Sequence, residues 1–173
     1  MEDFLDILKY ILPSLVVFAT AFFILRAFLQ NGTHKKLLEL KLHNQNVITP
    51  IRLQAYERVI LLLERISPSS LIIRIALPGM SASQLQVLLV QNIRDEFEHN
   101  LSQQIYISPT AWDLTRNAKE EMIKLVNLAS TRLNDNATAT DLGSVILELS
   151  MTQDRLPVNA AIDYIKKEVR QMY

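Results

Sequence analysis

An apolar run over residues 10–29 constrains this chain more than any other feature of its sequence. Its twenty residues are interrupted only by Pro13, Ser14, Thr20 and Arg26. As an α-helix rising about 1.5 Å per residue, the run reaches about 30 Å, the thickness of the hydrocarbon core of a bilayer. Helices in globular cores rarely stay apolar on every side for that length. The run therefore predicts one transmembrane helix over residues 10–30, preceded by a short extracytoplasmic tail of residues 1–9.

A cleaved signal peptide is the alternative interpretation of this segment. Residues 19–21 read Ala-Thr-Ala, which has the small-x-small form of a cleavage site. However, residues 2–6 carry three acidic side chains where a signal peptide is basic, and the apolar run continues through residues 22–25. These features favour an anchor that is retained.

The distribution of basic residues sets the expected orientation of the anchor. More of them follow the run than precede it, so the positive-inside rule places the C-terminal side in the cytoplasm. Residues 31–47 are then a basic juxtamembrane segment, which either lies against anionic lipid or is a solvated linker. The residues expected to flank the membrane are Lys9, Arg26, Lys35, Lys36 and Lys41.

Residues 48–173 are predicted to form a small cytoplasmic helical domain. A capping hydroxyl stands before a proline at residues 49–50, 67–68 and 108–109, and each pair is typical of a helix start. Further helices are expected after Ser81 or Ser83, after Thr140 and from Pro157. The helix after Ser81 or Ser83 repeats an apolar residue every four positions, which predicts a buried ridge made of Leu85, Leu89, Ile93, Phe97 and Leu101.

The predicted fold class is therefore all-α, with one transmembrane helix followed by a small helical bundle. Two short apolar runs, near residues 71–77 and 104–107, are too short for periodicity to separate helix from strand. An α+β domain containing two short strands stays open as the alternative.

Composition excludes several classes of function. The chain has no cysteine, which removes disulfides, thiolate nucleophiles and cysteine metal sites, and its three glycines leave little room for phosphate-binding loops. Eighteen basic residues are balanced by eighteen acidic ones without a long basic run, so nucleic-acid binding is not expected. The motifs of hydrolases, NTPases and zinc peptidases are absent. We therefore expect no enzymatic activity, no catalytic residue and no cofactor.

The most suggestive polar cluster lies in residues 94–100. Glu96 and His99 are three residues apart, so they project from one face of a helix. Di-iron carboxylate bundles use this Glu-x-x-His pair, but they need it twice and with two further glutamates. A metal site built on Glu96, Glu98 and His99 would thus require an oligomer, and surface ion pairs are the simpler interpretation.

Trp112 is either a core residue or a contact for a partner, because aromatic side chains dominate both environments. The candidate partner-binding residues are Glu96, Glu98, His99 and Trp112.

The motifs at residues 93–100, 103–106, 111–112 and 117–121 resemble a family of uncharacterised bacterial single-span membrane proteins. The resemblance extends over residues 49–75 and the N-terminal apolar run. It implies a location in the bacterial inner membrane with a helical domain in the cytoplasm. It implies no activity, no cofactor and no functional residue.

Together, these features predict a non-enzymatic accessory or assembly subunit of an inner-membrane protein complex, with its N-terminus outside. The expected partners are membrane lipids around the N-terminal helix and other subunits of that complex, and a homo-oligomer is an open alternative. The alternative function is a membrane-anchored metal-binding protein or enzyme that uses the Glu96, Glu98 and His99 cluster in an oligomer.

Overall fold

The computed structural model describes the backbone of residues 2–152 and 154–172, and the side chains of residues 11, 13–26, 48–152 and 154–172. The chain divides into two compact units, Met1–Thr49 and Pro50–Tyr173. The helices are α1 (Glu2–Ile66), α2 (Pro68–Ile75), α3 (Ala82–His99), α4 (Pro109–Ser130), α5 (Ala139–Met151) and α6 (Pro157–Arg170), with a 3-10 helix at Leu101–Ile105.

The all-α class is confirmed, and the α+β alternative is wrong. Residues 71–75 belong to α2, and residues 104–105 belong to the 3-10 helix. Over the described backbone the only strand-like pairing is an isolated bridge between Ser81 and Thr138. There the Ala82 N–H donates to the Ala137 carbonyl and the Ala139 N–H donates to the Met80 carbonyl, both at 2.9 Å. This pairing ties the start of α3 to the start of α5.

The transmembrane helix predicted over residues 10–30 is not supported, and this part of the fold prediction is wrong. Among the residues whose placement is described, no helix is long and apolar enough to cross a membrane. The physical reason lies in the charges, because Lys9 and Arg26 leave sixteen residues between them. Sixteen helical residues reach about 24 Å, short of the hydrocarbon core of about 30 Å, and the prediction relied on both charged side chains extending outward to make up the difference.

Four of the predicted helix starts are confirmed, and two are not. Helices begin after Ser67, Ser81 and Ser108, and α6 begins at Pro157 as predicted. No helix starts at Pro50, because α1 continues through that residue to Ile66. The start placed at Thr140 lies two residues too late, since Thr138 is the capping residue of α5.

Two capping boxes fix the starts of α3 and α5. Ser81 accepts from the Gln84 N–H while the Gln84 side chain accepts from the Ser81 N–H, and Thr138 and Asp141 do the same. Each box satisfies two backbone donors that a helix start would otherwise leave unpaired. The hydrogen bonds from the hydroxyl and the backbone N–H of Thr138 hold the pKa of Asp141 below its usual value.

The core of the second unit receives apolar side chains from all six helices. The predicted α3 ridge is buried from Leu85 to Phe97, whereas Leu101 is exposed because α3 ends at His99. Helix α5 approaches α2 closely at Gly143, where a Cβ atom would lie 3.2 Å from Cγ2 of Ile72. The only described residue with a positive φ angle is Gly79, at 81°, in the turn between α2 and α3.

Candidate interaction surfaces

Trp112, one of the predicted partner-binding residues, lies in the core of the bundle. Only 8% of the residue is exposed, and its ring stacks on Phe97 with 5.0 Å between ring centres and 28° between ring planes. Nζ of Lys119 lies 4.5 Å from the centre of the Phe97 ring, within the range of a cation–π contact. The aromatic pair therefore joins α3 to α4.

Glu96, the central residue of the predicted polar cluster, is held by two arginines from neighbouring helices. Its Oε1 accepts hydrogen bonds from Nε of Arg65 at 2.6 Å and from Nη1 of Arg74 at 3.1 Å, and Nη2 of Arg65 lies 2.6 Å from the same oxygen as an ion pair. The Nη2 atom of Arg74 also donates to Asn92 Oδ1 at 2.7 Å and to the Arg65 carbonyl at 3.2 Å. Only 15% of the Glu96 side chain is exposed. Its carboxylate therefore faces the two arginines rather than solvent, and it fastens α1 and α2 to α3.

Glu98 and His99 are both exposed. His99 and Glu96 line one groove of about 350 Å³ beside α1, together with Arg58 and Leu61, whereas Glu98 does not line it. The structure thus brings two of the three proposed ligands to one surface. Within the described part of the chain, no group of three side chains of the His, Cys, Asp or Glu type is placed to hold a metal ion.

Glu168 is the centre of a second polar cluster, which the sequence patterns did not reveal. Its Oε1 accepts from the Tyr56 hydroxyl at 2.6 Å, and its Oε2 accepts from the Ser108 hydroxyl at 2.7 Å. Ser108 also caps α4 by accepting from the Ala111 N–H at 3.1 Å. Burial, and after it the hydrogen bond to Glu168, raises the pKa of the Tyr56 phenol. One carboxylate on α6 therefore fastens that helix to α1 and to the start of α4.

The contacts of this cluster span 60 and 112 positions in the chain. No local spacing rule pairs a tyrosine with a glutamate at that separation. The only sequence signal was the Ser108-Pro109 helix start, which identified the cap but not its second partner.

The first unit presents the most extensive exposed apolar surface among the described side chains. We call residues 11–25 the apolar segment. Nine of its large apolar side chains are exposed, and Phe18 is the most exposed at 72%. The members are Ile11, Leu15, Val16, Val17, Phe18, Phe22, Phe23, Ile24 and Leu25.

Polar groups of the apolar segment are satisfied within its own helix. The Thr20 hydroxyl lies 2.8 Å from the Val16 carbonyl, and the Ser14 hydroxyl donates to the Ile11 carbonyl at 2.7 Å. The segment therefore offers a neighbour almost nothing but apolar contact. Of the predicted membrane-flanking residues, Arg26 is exposed, and the side chains of Lys9, Lys35, Lys36 and Lys41 lie outside the described residues.

A second apolar surface lies on the bundle, where the turn after α2 meets the start of α3. We call this surface the turn cleft. It encloses about 650 Å³ and is lined by Leu77, Pro78, Gly79, Met80, Ser83, Gln84, Val87 and Leu88. Leu77 and Val87 are 64% and 65% exposed, so large apolar side chains face solvent there.

Comparisons with known proteins give one match. A family model described as a family of unknown function (DUF7935) matches residues 2–172, nearly the whole chain. Neither the curated proteins nor the solved structures include a match. The predicted resemblance to an uncharacterised family is confirmed at that level.

Proposed function

We propose that this protein, which belongs to the family of unknown function DUF7935, is a non-enzymatic interaction subunit of a larger protein assembly. In this proposal the apolar segment is the main contact. Its partners are apolar helices of other subunits, which surround residues 11–25.

The exposed apolar surface of residues 11–25 carries the proposal. Its nine exposed side chains together present on the order of 1,000 Å², whereas the largest apolar patch on a typical monomer measures about 300–600 Å². Surface of that extent marks a contact site, because leaving it in water costs free energy in proportion to its area. The exposed apolar side chains of residues 11–25 are therefore expected to be buried against another molecule.

The shape and chemistry of the segment indicate what covers it. A helix that is apolar on every side is normally enclosed on every side. No charged residue occurs between Lys9 and Arg26, so a partner side chain with a charge would find no counter-charge there. Apolar helices from partner subunits supply such a cover and pack by interlocking side chains.

The polar clusters of the bundle support an interaction role over catalysis. The Glu96 and Glu168 carboxylates each accept two or more short hydrogen bonds from neighbouring helices, so both are committed to holding the bundle together. The partners of both carboxylates are arginine and hydroxyl groups of the bundle itself, which is the arrangement expected of residues that fasten helices.

Copurification with matched variants tests the proposal. The tagged full chain is extracted from its native cells in a mild detergent, and the stoichiometric partners are identified. A double variant, Phe18→Asn with Phe22→Asn, removes two exposed rings from the apolar segment. Leu61→Asn with Leu128→Asn is the control, because these side chains are also about half exposed but lie on the bundle.

We expect a defined set of partners with the native chain and with the control, and loss of these partners with the Phe18 and Phe22 variant. Retention of the same partners by that variant would contradict the proposal. A second result would also overturn the proposal. The purified native chain, without any stoichiometric protein, would float with vesicles of phosphatidylethanolamine and phosphatidylglycerol, which would show that lipid rather than protein covers the segment.

A further inference from the structure

The turn cleft is an apolar surface that the proposed contact at residues 11–25 does not use. Pro78 and Gly79 form a tight turn in which the Met80 N–H donates to the Leu77 carbonyl at 3.3 Å. The turn holds Leu77 outward beside the first two turns of α3, where Val87 and Leu88 are also exposed. Gly79 permits this turn, since its positive φ is one that other residues rarely adopt.

Charge is absent from the cleft and from its surroundings in the sequence. Residues 75–93 form a run of nineteen positions without a charged side chain or a histidine, although 21% of the whole chain is charged. All eight residues that line the cleft belong to this run. A partner that placed a charge here would bury it without a counter-charge, which is costly.

A two-fold interface between identical chains favours an uncharged surface near its axis, and the cleft is such a surface. Such an interface brings each residue near the axis against its own copy, so a charged residue there would face a like charge. An uncharged surface avoids this repulsion. The polar groups at the cleft, Ser83 Oγ and Gln84 Oε1, already contact Ser81 at 3.1 and 3.0 Å, so they need no charged partner.

The exposed apolar area of the cleft is small and limits the size of a dimer interface there. Leu77, Val87 and Leu88 together present on the order of 300 Å² of apolar surface, compared with about 800 Å² per partner in a standard interface. The exposed Pro78, Ser83 and Gln84 extend it as a less apolar rim. Interfaces of this kind fall at the small and reversible end of the range.

We propose that the turn cleft is a contact surface between two copies of this chain. The pairing is separate from the partner contact at residues 11–25, and it gives the proposed interaction subunit two independent contacts, one with itself and one with other proteins.

Site-specific cross-linking tests the pairing cleanly, because the native chain contains no cysteine. Val87→Cys places a single thiol in the cleft of the full chain, and Leu128→Cys places one at a comparably exposed position on α4. Both proteins are purified in a mild detergent that covers the apolar segment, and each is treated with a short bis-maleimide. We expect the cleft thiol to give covalent dimer at least about tenfold faster than the α4 thiol, since a two-fold contact holds two copies of it together.

A charge placed in the cleft supplies the decisive comparison. Leu88→Lys in the Val87→Cys chain should lower the cross-linking rate at least about tenfold, because two like charges then meet at the contact. Leu128→Lys in the same chain is the matched control and should leave the rate unchanged. Fluorescence of Trp112 verifies that each variant is folded, since this single tryptophan lies in the core.

Two results would overturn the pairing. One is an equal rate for the cleft thiol and the α4 thiol, and the other is a cleft rate that Leu88→Lys leaves unchanged. Adding Phe18→Asn and Phe22→Asn to the Val87→Cys chain separates this proposal from the previous one. If the pairing is correct, cross-linking persists in that chain whether or not the apolar segment binds other proteins.

Discussion

The hydrogen bond between Tyr56 and Glu168 permits the sharpest prediction about how the bundle is held together. Tyr56 is buried, and its hydroxyl donates to a half-buried carboxylate at 2.6 Å. Hydrogen bonds to charged groups contribute about 1.5–3 kcal/mol. We therefore expect Tyr56→Phe to lower the free energy of unfolding by about 2 kcal/mol while leaving the ring packing unchanged.

Ser108 supplies the second arm of the same test. Ser108→Ala removes the hydrogen bond to Glu168 at 2.7 Å and also the α4 cap, so its expected cost is about 2–3 kcal/mol. Because both hydroxyls serve one carboxylate, losing either lets Glu168 turn toward water. The double variant should therefore cost about 1 kcal/mol less than the sum of the two single variants.

Urea unfolding followed by the fluorescence of Trp112 measures all three variants, since the single tryptophan reports on the bundle core. Tyr164→Phe, at an exposed position of α6, is the control and should change the free energy of unfolding by less than about 0.5 kcal/mol. A Tyr56→Phe cost below about 0.5 kcal/mol, or strict additivity of the two variants, would refute the role assigned to Glu168.

The pKa of Tyr56 is raised, so the folded state holds the phenol proton more tightly than the unfolded chain does. The resulting contribution to stability is complete below the unfolded pKa of about 10 and is lost as the pH rises above that value. Tyr56→Phe should flatten that alkaline loss in urea unfolding between about pH 9 and 11, and an unchanged slope would contradict the assignment. Glu96→Ala should lower the free energy of unfolding by about 1–2 kcal/mol. The cost should be smaller at about 1 M salt, because Arg65 and Arg74 are partly exposed and salt screens their charges. A cost that does not depend on salt would argue against an ion-pair role. Zinc or manganese should leave the melting temperature unchanged, because Glu96 is paired with two arginines and only Glu96 and His99 of the three proposed ligands share a groove. A site filled at a hundredfold excess over its Kd would instead add about 2.7 kcal/mol of stability and restore the metal-binding alternative.

Much of the bundle follows from local rules that a sequence displays. Ser81 and Ser108 mark helix starts because each hydroxyl accepts from a backbone N–H of the first turn. At α2 the proline at the first helical position marks the start, since the Ser67 hydroxyl makes no capping hydrogen bond. The same rule is wrong at Pro50, where α1 continues through the residue although an interior proline removes one backbone donor and disfavours a helix. The start expected at Thr140 is wrong because Asp141 stands three residues after Thr138 and completes a capping box with that residue.

The partners of Glu96 and Glu168 could not be predicted from spacing within one helix. The spacing of Glu96 and His99 placed both on one groove, as expected. The occupation of Glu96 by Arg65 and Arg74 depends on how three helices meet, which no pattern within α3 contains. The cluster at Glu168 joins residues far apart in the chain for the same reason.

The apolar segment is the part of the chain for which the fold prediction is wrong. Length and apolarity alone predicted a transmembrane helix, but no helix among the described residues is long and apolar enough to cross a membrane. Nine large apolar side chains of the segment are nevertheless exposed.

Photo-cross-linking at Phe18 tests the central claim most directly, because this side chain is the most exposed of the apolar segment. A photoreactive phenylalanine analogue at position 18 is activated in living cells, and whatever covers the segment is recovered with the tagged chain. We expect one or a few defined protein adducts at this position and none for the same analogue at the exposed position 128. Adducts with lipid alone, or the absence of any adduct at position 18, would contradict the proposed protein contact.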